Sequence, residues 1–286
     1  MGVESLLEAG LRLYSRVAPT ERGGYRLVRF ARRFRRADVW RDTFRTPDGL
    51  VLDLDLGTYP DCCMAFGLYE LDTARLMRRL LRPGDHFVDG GANIGYFTLL
   101  AGQWVGPTGR VDAFEPEPRN HLRLVAHLKR NRPAAAVHVH CVALSKEAGE
   151  GVIHFYDDAS HNHGCASLFA EPGVASQDSV VQTARMDEVL AGTAPRLIKL
   201  DVEGAEPLVV AGMSRLLQND PPPIVIAEYN PRQARIAGFE PRELIDRLLD
   251  AQPAYRVYAI GWRLRPIQPT RHGLARMRQG NLLFRA

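Results

Sequence analysis

A glycine-rich segment after a short apolar run is the part of this sequence best suited to binding a cofactor. The segment reads Asp89-Gly-Gly-Ala-Asn-Ile-Gly95, and Phe87 and Val88 precede it. Glycines at this spacing, between a strand and a helix, let backbone N–H groups and the helix N-terminus approach a ligand closely. The run from Gly90 to Gly95 also fits the loose dinucleotide-binding pattern. The glycines alone therefore predict a nucleotide-like cofactor.

The carboxylate of Asp89 discriminates among such cofactors. Because it comes just before the first glycine, it would repel a pyrophosphate, which disfavours NAD and FAD. It suits S-adenosylmethionine, which carries an ammonium and a sulfonium and no phosphate. A second acid, Glu115, ends the next strand-like run, where an adenosine-binding sheet uses an acid to bind the ribose hydroxyls. The two acids together indicate a class I methyltransferase, with an NAD-dependent oxidoreductase and a non-catalytic cofactor-binding scaffold as alternatives.

Further motifs follow in order along the chain. They are Gly67-Leu-Tyr-Glu70, Val88–Gly95, Phe114–Pro118 with Asn120, Val142–Ser145, Ile198–Glu206, Glu228 and Asn281–Phe284. With this set the chain resembles the FkbM family of S-adenosylmethionine-dependent methyltransferases, over roughly residues 65–286. The family pattern has Asn where this chain has Val142, which leaves an adenine contact there to the backbone.

The cofactor site is predicted from the two acids, the glycine turn and the resemblance. We expect Asp89 to lie beneath the methionine ammonium, and Glu115 to accept hydrogen bonds from both ribose hydroxyls. The resemblance implies that Glu70 also reaches the cofactor; the alternative is an acid that only begins a helix. The full set of predicted cofactor-binding residues is Glu70, Asp89, Gly91, Asn93, Gly95, Tyr96, Glu115, Pro116, Val142 and Ala143.

Acids at the ends of the fourth and fifth predicted strands are the candidate catalytic residues. Asp201 and Glu228 follow these strands, and Glu203 lies near the start of the next helix. In one arrangement Asp201 or Glu203 is the general base and Glu228 positions the acceptor. In the other, Asp201, Glu228 and Asn230 bind Mg²⁺, which acidifies the acceptor hydroxyl. Lys199, an inward-facing lysine on a buried strand, is expected to pair with a carboxylate.

The resemblance implies O-methylation, with a hydroxylated small molecule, a sugar or a lipid-linked glycan as the acceptor. A net charge of +4, dispersed along the chain, argues against a nucleic-acid partner. The first residues lack the basic and apolar regions of a signal peptide, and no apolar run approaches ~20 residues. A cytoplasmic protein is therefore expected.

The spacing of apolar and turn residues predicts an α/β fold of the Rossmann-like class I methyltransferase type. We expect a mostly parallel seven-stranded sheet with helices on both faces, an N-terminal helical extension and an inserted β-hairpin. Core strands are expected near 86–90, 110–115, 136–143, 196–201 and 223–228, and helices near 70–81, 94–104, 118–131, 204–218 and 240–251. Strands near 255–260 and 281–284 close the sheet, and strands near 151–156 and 180–185 form the inserted hairpin. Residues 1–60 are predicted as a helical and hairpin extension and 61–286 as the cofactor-binding domain.

The N-terminal extension is basic. An amphipathic helix is predicted over 3–17 and a second helix over 25–36, where six arginines fall between positions 26 and 36. A basic amphipathic helix can make a peripheral membrane contact. The favoured alternative is a lid or a homodimer arm with solvated arginines.

Overall fold

The computed structural model describes residues 10, 13–14, 41–156, 166–269 and 279–286. Apart from residues 10, 13 and 14, the two predicted N-terminal helices lie outside these ranges. The strands are β1 Arg41–Arg45, β2 Val51–Asp55, β3 His86–Gly90, β4 Arg110–Phe114, β5 Ala136–His140, β6 Ala143–Leu144, β7 Gly149–Phe155, β8 Ala166–Ser167, β9 Gln177–Ala184, β10 Leu197–Leu200, β11 Ile224–Tyr229, β12 Arg256–Ala259, β13 Arg265–Ile267 and β14 Gly280–Arg285. The helices are α1 Tyr59–Ala65, α2 Leu71–Leu80, α3 Tyr96–Val105, α4 Pro118–Asn131, α5 Met186–Val189, α6 Glu206–Gly212, α7 Pro231–Ile236 and α8 Glu243–Ala251.

The central sheet has the strand order β13-β12-β14-β11-β10-β3-β4-β5. The five strands from β11 to β5 run parallel, and β14 lies antiparallel between β11 and β12. The predicted α/β class and mostly parallel sheet are confirmed. The count of seven strands is wrong for the described chain, because β13 pairs antiparallel with the outer edge of β12. This short strand contains Pro266 and has little apolar patterning, so its sequence does not indicate a strand.

Apolar side chains cover both faces of the sheet. On one face Phe87 packs with Leu99 of α3 and Met77 of α2. On the other face Ile198 packs with Val209 of α6 and with α8. Parallel strands buried on both faces have nearly continuous apolar sequences, as the fully buried run of β10 shows. The expected helices on both faces are therefore present.

The hairpin β1–β2 packs against the rest of the fold. Leu52 and Leu54 are buried in the same core as Phe87. The side chain of Asn131 on α4 accepts a hydrogen bond from the backbone N–H of Val51 at 2.7 Å and donates to its carbonyl at 2.8 Å. The predicted hairpin is confirmed, whereas the domain boundary at residue 60 remains a prediction.

The predicted inserted hairpin is part of a small separate sheet. Its two strands, β7 and β9, pair antiparallel, and β6 and β8 complete a four-stranded sheet of order β6-β9-β7-β8. The third core strand is consequently shorter than predicted, since Ala143 and Leu144 leave β5 and pair with β9.

The helix expected over 204–218 ends early. The carboxylate of Asp187 accepts hydrogen bonds from the backbone N–H groups of Arg215 and Leu216, at 2.9 and 3.0 Å. These N–H groups cannot then continue the hydrogen bonding of α6, and a short 3₁₀ turn, Leu216–Gln218, follows instead. Within the described ranges, no helix has the length and apolar character needed to cross a membrane.

Candidate active site

The carboxyl ends of the parallel strands border a cavity of about 1210 Å³. All of the predicted site residues line it except Asp89 and Gly95. Ligand sites of open α/β sheets occur at these strand ends. The volume exceeds the range of roughly 300–1,000 Å³ that is usual for a single small ligand, so the cavity has room for a cofactor and an acceptor.

Close packing requires glycine in this turn, in addition to the need for a ligand to approach the backbone. Gly91 has a φ of +87°, and a Cβ added there would lie 1.8 Å from the carbonyl oxygen of Asp201. A Cβ on Gly95 would lie 2.2 Å from Cδ1 of Leu124. Between them Asn93 adopts a left-handed conformation with a φ of +49°, a backbone state that Asn tolerates better than most residues.

Glu115 joins the glycine turn to the end of β4. Its Oε2 accepts a hydrogen bond from the backbone N–H of Asn93 at 2.7 Å, and its Oε1 accepts one from Glu117 at 2.9 Å. Burial raises the pKa of Glu115 to about 7, although both backbone hydrogen bonds lower it. Each carboxylate oxygen can accept a further hydrogen bond. Together with Phe114 and Pro116, which also line the cavity, Glu115 fits an adenosine with its two ribose hydroxyls.

Asp89 lies behind the glycine turn and is only 1% exposed. Its Oδ2 accepts a hydrogen bond from the hydroxyl of Thr98 at 2.6 Å, and its Oδ1 has no partner in the described chain. Burial raises the pKa of Asp89, and the ammonium of Lys199 opposes this shift. Direct contact between Asp89 and a methionine ammonium remains a prediction.

Lys199 pairs with carboxylates, as predicted. Its ammonium lies 2.7 Å from Oδ2 of Asp201 and 4.0 Å from Oε1 of Glu70. It also lies 4.7 Å from the centre of the Phe97 ring, within cation–π range. Burial lowers the pKa of Lys199, but Asp201 and Glu70 outweigh this effect and raise it above its ordinary value. Lys199 therefore stays charged at the centre of a group of acids.

Three acids meet near the carboxyl ends of β10 and β11. Carboxylate oxygens of Asp201, Glu203 and Glu228 lie within 4.8 Å of one another. Glu203 has a left-handed backbone with a φ of +52°, and its Oε2 accepts a hydrogen bond from the side chain of Gln233 at 3.3 Å. Non-glycine residues in such conformations are often found at functional sites.

Glu228 differs from its two neighbours in its hydrogen bonding. Oε1 accepts a hydrogen bond from the side chain of Gln279 at 2.7 Å, whereas Oε2 is buried without a partner in the described chain. Burial raises the pKa of Glu228 well above its ordinary value, and Asp201 and Glu203 raise it further.

Asn230, the third predicted metal ligand, lines the cavity and also caps a helix. Its side-chain oxygen accepts hydrogen bonds from the backbone N–H groups of Arg232 and Gln233, both at 3.3 Å. Asn230 is thus the N-cap of α7, a role in which Asn is strongly preferred. The group of three acids adds Glu203 to the predicted pair Asp201 and Glu228, and the metal role of Asn230 remains a prediction.

Glu70 and Asn281 lie far apart in sequence and in contact in the fold. Glu70 is the N-cap of α2 with a φ of +41°, and its Oε2 accepts a hydrogen bond from the side-chain amide of Asn281 at 2.5 Å. The motif Asn281–Phe284 predicted no role for Asn281. The one feature of the sequence that indicates a role for Asn281 is its place as a polar residue at the start of an otherwise apolar strand.

The inserted sheet supplies a wall that the sequence did not predict. Ile153, Ala166 and Leu168 line the cavity on this side. Arg232 and Arg235 line it from α7, and Arg232 forms an ion pair with Glu171. The lining contributed by the inserted sheet and α7 therefore combines apolar and charged residues.

Comparison with known proteins identifies the family. The model of the methyltransferase FkbM domain matches residues 89–257, more than half of the chain. The chain is 35% identical over 161 residues to the 31-O-demethyl-FK506 methyltransferase FkbM of Streptomyces tacrolimicus. The matched segment covers 46% of this chain and 61% of that relative.

Solved structures to which this chain is similar include methyltransferase FkbM from Methylobacillus flagellatus KT, which is 17% identical with a TM-score of 0.44. That match covers 79% of this chain and 54% of the other. A SAM-dependent O-methyltransferase from Thermotoga maritima is 13% identical with a TM-score of 0.43, over 76% of this chain and 66% of the other. The family match, rather than these distant structures, decides the assignment and sets aside the oxidoreductase alternative. This chain belongs to the FkbM family of S-adenosylmethionine-dependent methyltransferases.

Proposed function

We propose that this protein methylates a hydroxyl group of a small molecule, a sugar or a lipid-linked glycan, with Glu228 as the general base. One observation carries the proposal. Oε2 of Glu228 is a buried acceptor without a partner in the described chain, and it belongs to a cavity that also contains Glu115. A hydroxyl that donates to this oxygen would satisfy it and would be placed for deprotonation.

The residues around Glu115 fit S-adenosylmethionine. When bound, this cofactor supplies a methyl group on a positively charged sulfur. Glu115 would accept hydrogen bonds from the ribose hydroxyls, while Asn93 and Gly91 shape the turn beside it. Pro116 and the segment Val142–Ala143, which also line the cavity, would flank the adenine. The buried and partnerless Oδ1 of Asp89 supports a positively charged group near the turn.

Glu228 suits the role of base better than the two acids favoured from the sequence. Oδ2 of Asp201 already forms an ion pair with the ammonium of Lys199 at 2.7 Å. The carboxylate of Glu203 accepts a hydrogen bond from the side-chain amide of Gln233. A carboxylate with a raised pKa is the more effective proton acceptor near neutral pH. Glu228 would take the hydroxyl proton as the new C–O bond forms and the C–S bond of the cofactor breaks.

The choice of oxygen as the methylated atom rests on the family and on the chemistry of the site. The Streptomyces relative is named as an O-methyltransferase. A neutral hydroxyl needs a base, and the cavity offers a carboxylate where such a base is needed. The mixed apolar and arginine lining of the acceptor side accommodates a hydroxylated ring or glycan.

A divalent cation is the competing way to activate the hydroxyl. The donor set of Asp201, Glu203 and Glu228 consists of oxygens alone, which suits Mg²⁺ by ligand type. In that version the ion would act as a Lewis acid on the hydroxyl oxygen. We favour the base, because the ammonium of Lys199 already supplies a positive charge next to Asp201. Methylation that survives EDTA supports the base, whereas loss on chelation and recovery with Mg²⁺ would contradict it.

The decisive experiment replaces Glu228 with Gln, which keeps the shape of the side chain and removes its basicity. S-adenosylhomocysteine release would be measured by mass spectrometry with a panel of methyl glycosides, polyols and lipid-linked glycans. We expect a fall in kcat of about 100-fold or more, the usual contribution of a general base. The control is Glu150→Gln, an exposed glutamate on β7.

Cofactor binding separates this outcome from a structural defect. Calorimetry should give the same S-adenosylmethionine affinity for Glu228→Gln as for the parent protein. Retention of full turnover by Glu228→Gln would reject Glu228 as the base. Cofactor binding without turnover of any hydroxylated acceptor would favour the non-catalytic scaffold.

A further inference from the structure

Glu228 and Asn281 are directly opposite each other on neighbouring strands. They are register partners in the antiparallel pair β11–β14. Directly opposite residues of an antiparallel pair point to the same face, with Cβ atoms about 4.5–5.5 Å apart. Both side chains line the cavity. They therefore form one small patch of its wall.

The side-chain amide of Asn281 has a defined orientation. Its Nδ2 donates to Oε2 of Glu70 at 2.5 Å and to the hydroxyl of Thr73 at 2.9 Å. The flipped amide would place its oxygen against the carboxylate of Glu70, which has no proton to donate when ionised. Nδ2 is thus fully used by these two acceptors, and Oδ1 is left as the group available to a ligand.

The patch contains two hydrogen-bond acceptors that lack donors. Oδ1 of Asn281 and Oε2 of Glu228 are both buried without a partner in the described chain. Buried acceptors in native proteins are almost always paired. Two of them on adjacent residues of one cavity wall indicate a ligand with two neighbouring donors.

The adenosine part of the cofactor is poorly placed to supply both donors. Glu115 and the glycine turn follow β4 and β3, whereas Asn281 lies on β14, which is separated from β3 by β10 and β11. Three strand spacings amount to about 14 Å. The patch therefore belongs to the acceptor end of the cavity.

We propose that the acceptor carries two hydroxyls on adjacent carbons, as in a sugar or a cyclic polyol, and that Asn281 selects for the second one. This inference rests on the proposed function. The first hydroxyl donates to Oε2 of Glu228 and loses its proton there, as its oxygen bonds to the methyl carbon and the carbon–sulfur bond breaks. The second hydroxyl donates to Oδ1 of Asn281 and keeps its proton. Asn281 is a specificity-determining residue in this scheme.

The test compares matched acceptors. Methyl hexopyranosides, which carry hydroxyls on C2, C3 and C4, would be paired with their 3-deoxy derivatives, which have no two hydroxyls on adjacent carbons. Binding would be followed by saturation-transfer NMR and turnover by S-adenosylhomocysteine release. For the parent protein we expect kcat/KM at least tenfold higher for the diol, because a deoxy acceptor leaves a buried acceptor of the protein unpaired.

Two variants assign the preference to Oδ1. Asn281→Leu removes this oxygen. The variant protein should therefore bind the diol and the deoxy sugar equally well and methylate them with similar kcat/KM. Thr73→Val removes a contact of the same amide but keeps Oδ1, so it should retain the preference for the diol even if its rate falls. A preference that persists in Asn281→Leu would overturn the role of Asn281.

The parent protein alone also tests the inference, independently of any folding defect in a variant. Equal binding of diols and deoxy sugars, or binding of no vicinal diol, would overturn the proposal about the acceptor. Diols that bind selectively but are never methylated would uphold the recognition of the diol and contradict the proposed function.

Discussion

The ammonium of Lys199 lies 2.7 Å from the carboxylate of Asp201, and the lysine side chain is only 2% exposed. Lys199 also approaches Glu70, and its strand neighbour in register on β3 is Asp89. A buried lysine is tolerated only when carboxylates compensate its lost hydration. These carboxylates, Glu70, Asp89 and Asp201, come from three separate parts of the chain. The ammonium of Lys199 therefore links three segments that surround the site.

Removal of this cation should destabilise the protein strongly. Lys199→Met keeps much of the apolar stem and leaves the buried acids without their partner. We expect the free energy of unfolding, measured by urea denaturation, to fall by about 3–5 kcal/mol. Lys146→Met is the control, because Lys146 makes only an exposed pair with Glu147, and it should change stability by about 0.5 kcal/mol or less. Similar effects of the two substitutions would show that the Lys199 network contributes little.

Gly91 should be essential because of a clash and not only because of its φ angle. Gly192 makes the comparison possible, since it also has a positive φ, +76°, but has no atom within 4 Å of an added Cβ. Gly192→Ala should cost about 1–2 kcal/mol from the left-handed backbone alone. Gly91→Ala should cost about 2 kcal/mol more, because its Cβ would collide with the carbonyl of Asp201. Equal losses in urea denaturation would reject the clash.

The raised pKa of Glu115 should make the free energy of unfolding depend on pH. Its value of about 7 in the folded protein lies above the ordinary 4.5. The folded state thus binds the proton more tightly than the unfolded state, so this contribution is fully present below pH 4.5 and is lost as the pH rises to about 7. It amounts to about 3 kcal/mol at most. Glu115→Gln should show a shallower loss of stability between pH 5 and pH 8 than the parent; identical slopes would contradict the raised pKa.

Glu115 should also govern cofactor affinity. Glu115→Ala removes two charge-assisted hydrogen bonds to the ribose, each worth about 1.5–3 kcal/mol. Calorimetry should show at least a tenfold weaker binding of S-adenosylmethionine, with the fold verified by circular dichroism. Glu150→Ala is the control, because this glutamate lies on the exposed side of the inserted sheet. Unchanged affinity in Glu115→Ala, or tight NAD binding by the parent, would contradict the assignment of the cofactor site.

The basic N-terminal segment should either bind an anionic membrane surface or serve as a homodimer arm or a lid. Each arginine near an anionic surface contributes on the order of 1 kcal/mol of attraction, screened by salt. The membrane hypothesis predicts that the parent protein sediments with phosphatidylserine vesicles at low salt and that a variant beginning at Arg41 does not. We favour the arm or lid, which predicts no vesicle binding and a change in oligomer size or acceptor affinity after the same truncation. Vesicle binding that survives the truncation would exclude the membrane hypothesis.

The sequence alone determined those strands and helices that follow from local patterns of apolar and turn residues. Alternation of apolar runs and turn residues placed β3, β4, β10 and β11 and their following helices, because a strand buried on both faces needs a continuous apolar run. The position of an acid directly after such a strand also fixed which side chains reach the carboxyl end of the sheet. For this reason Glu115, Asp201 and Glu228 could be named without a structure.

The tertiary structure alone decided which of these groups interact. Asn281 and Glu70 are separated by 211 positions, and only the placement of β14 beside β11 brings them into contact. The side-chain oxygen of Asn230 accepts hydrogen bonds from backbone N–H groups of α7, a contact that the fold displays directly. Strand order, register and competition for hydrogen bonds depend on segments far apart in the chain, so no local pattern records them. The same physical reason explains why the partnerless oxygens of Glu228 and Asn281 emerged only from the folded chain.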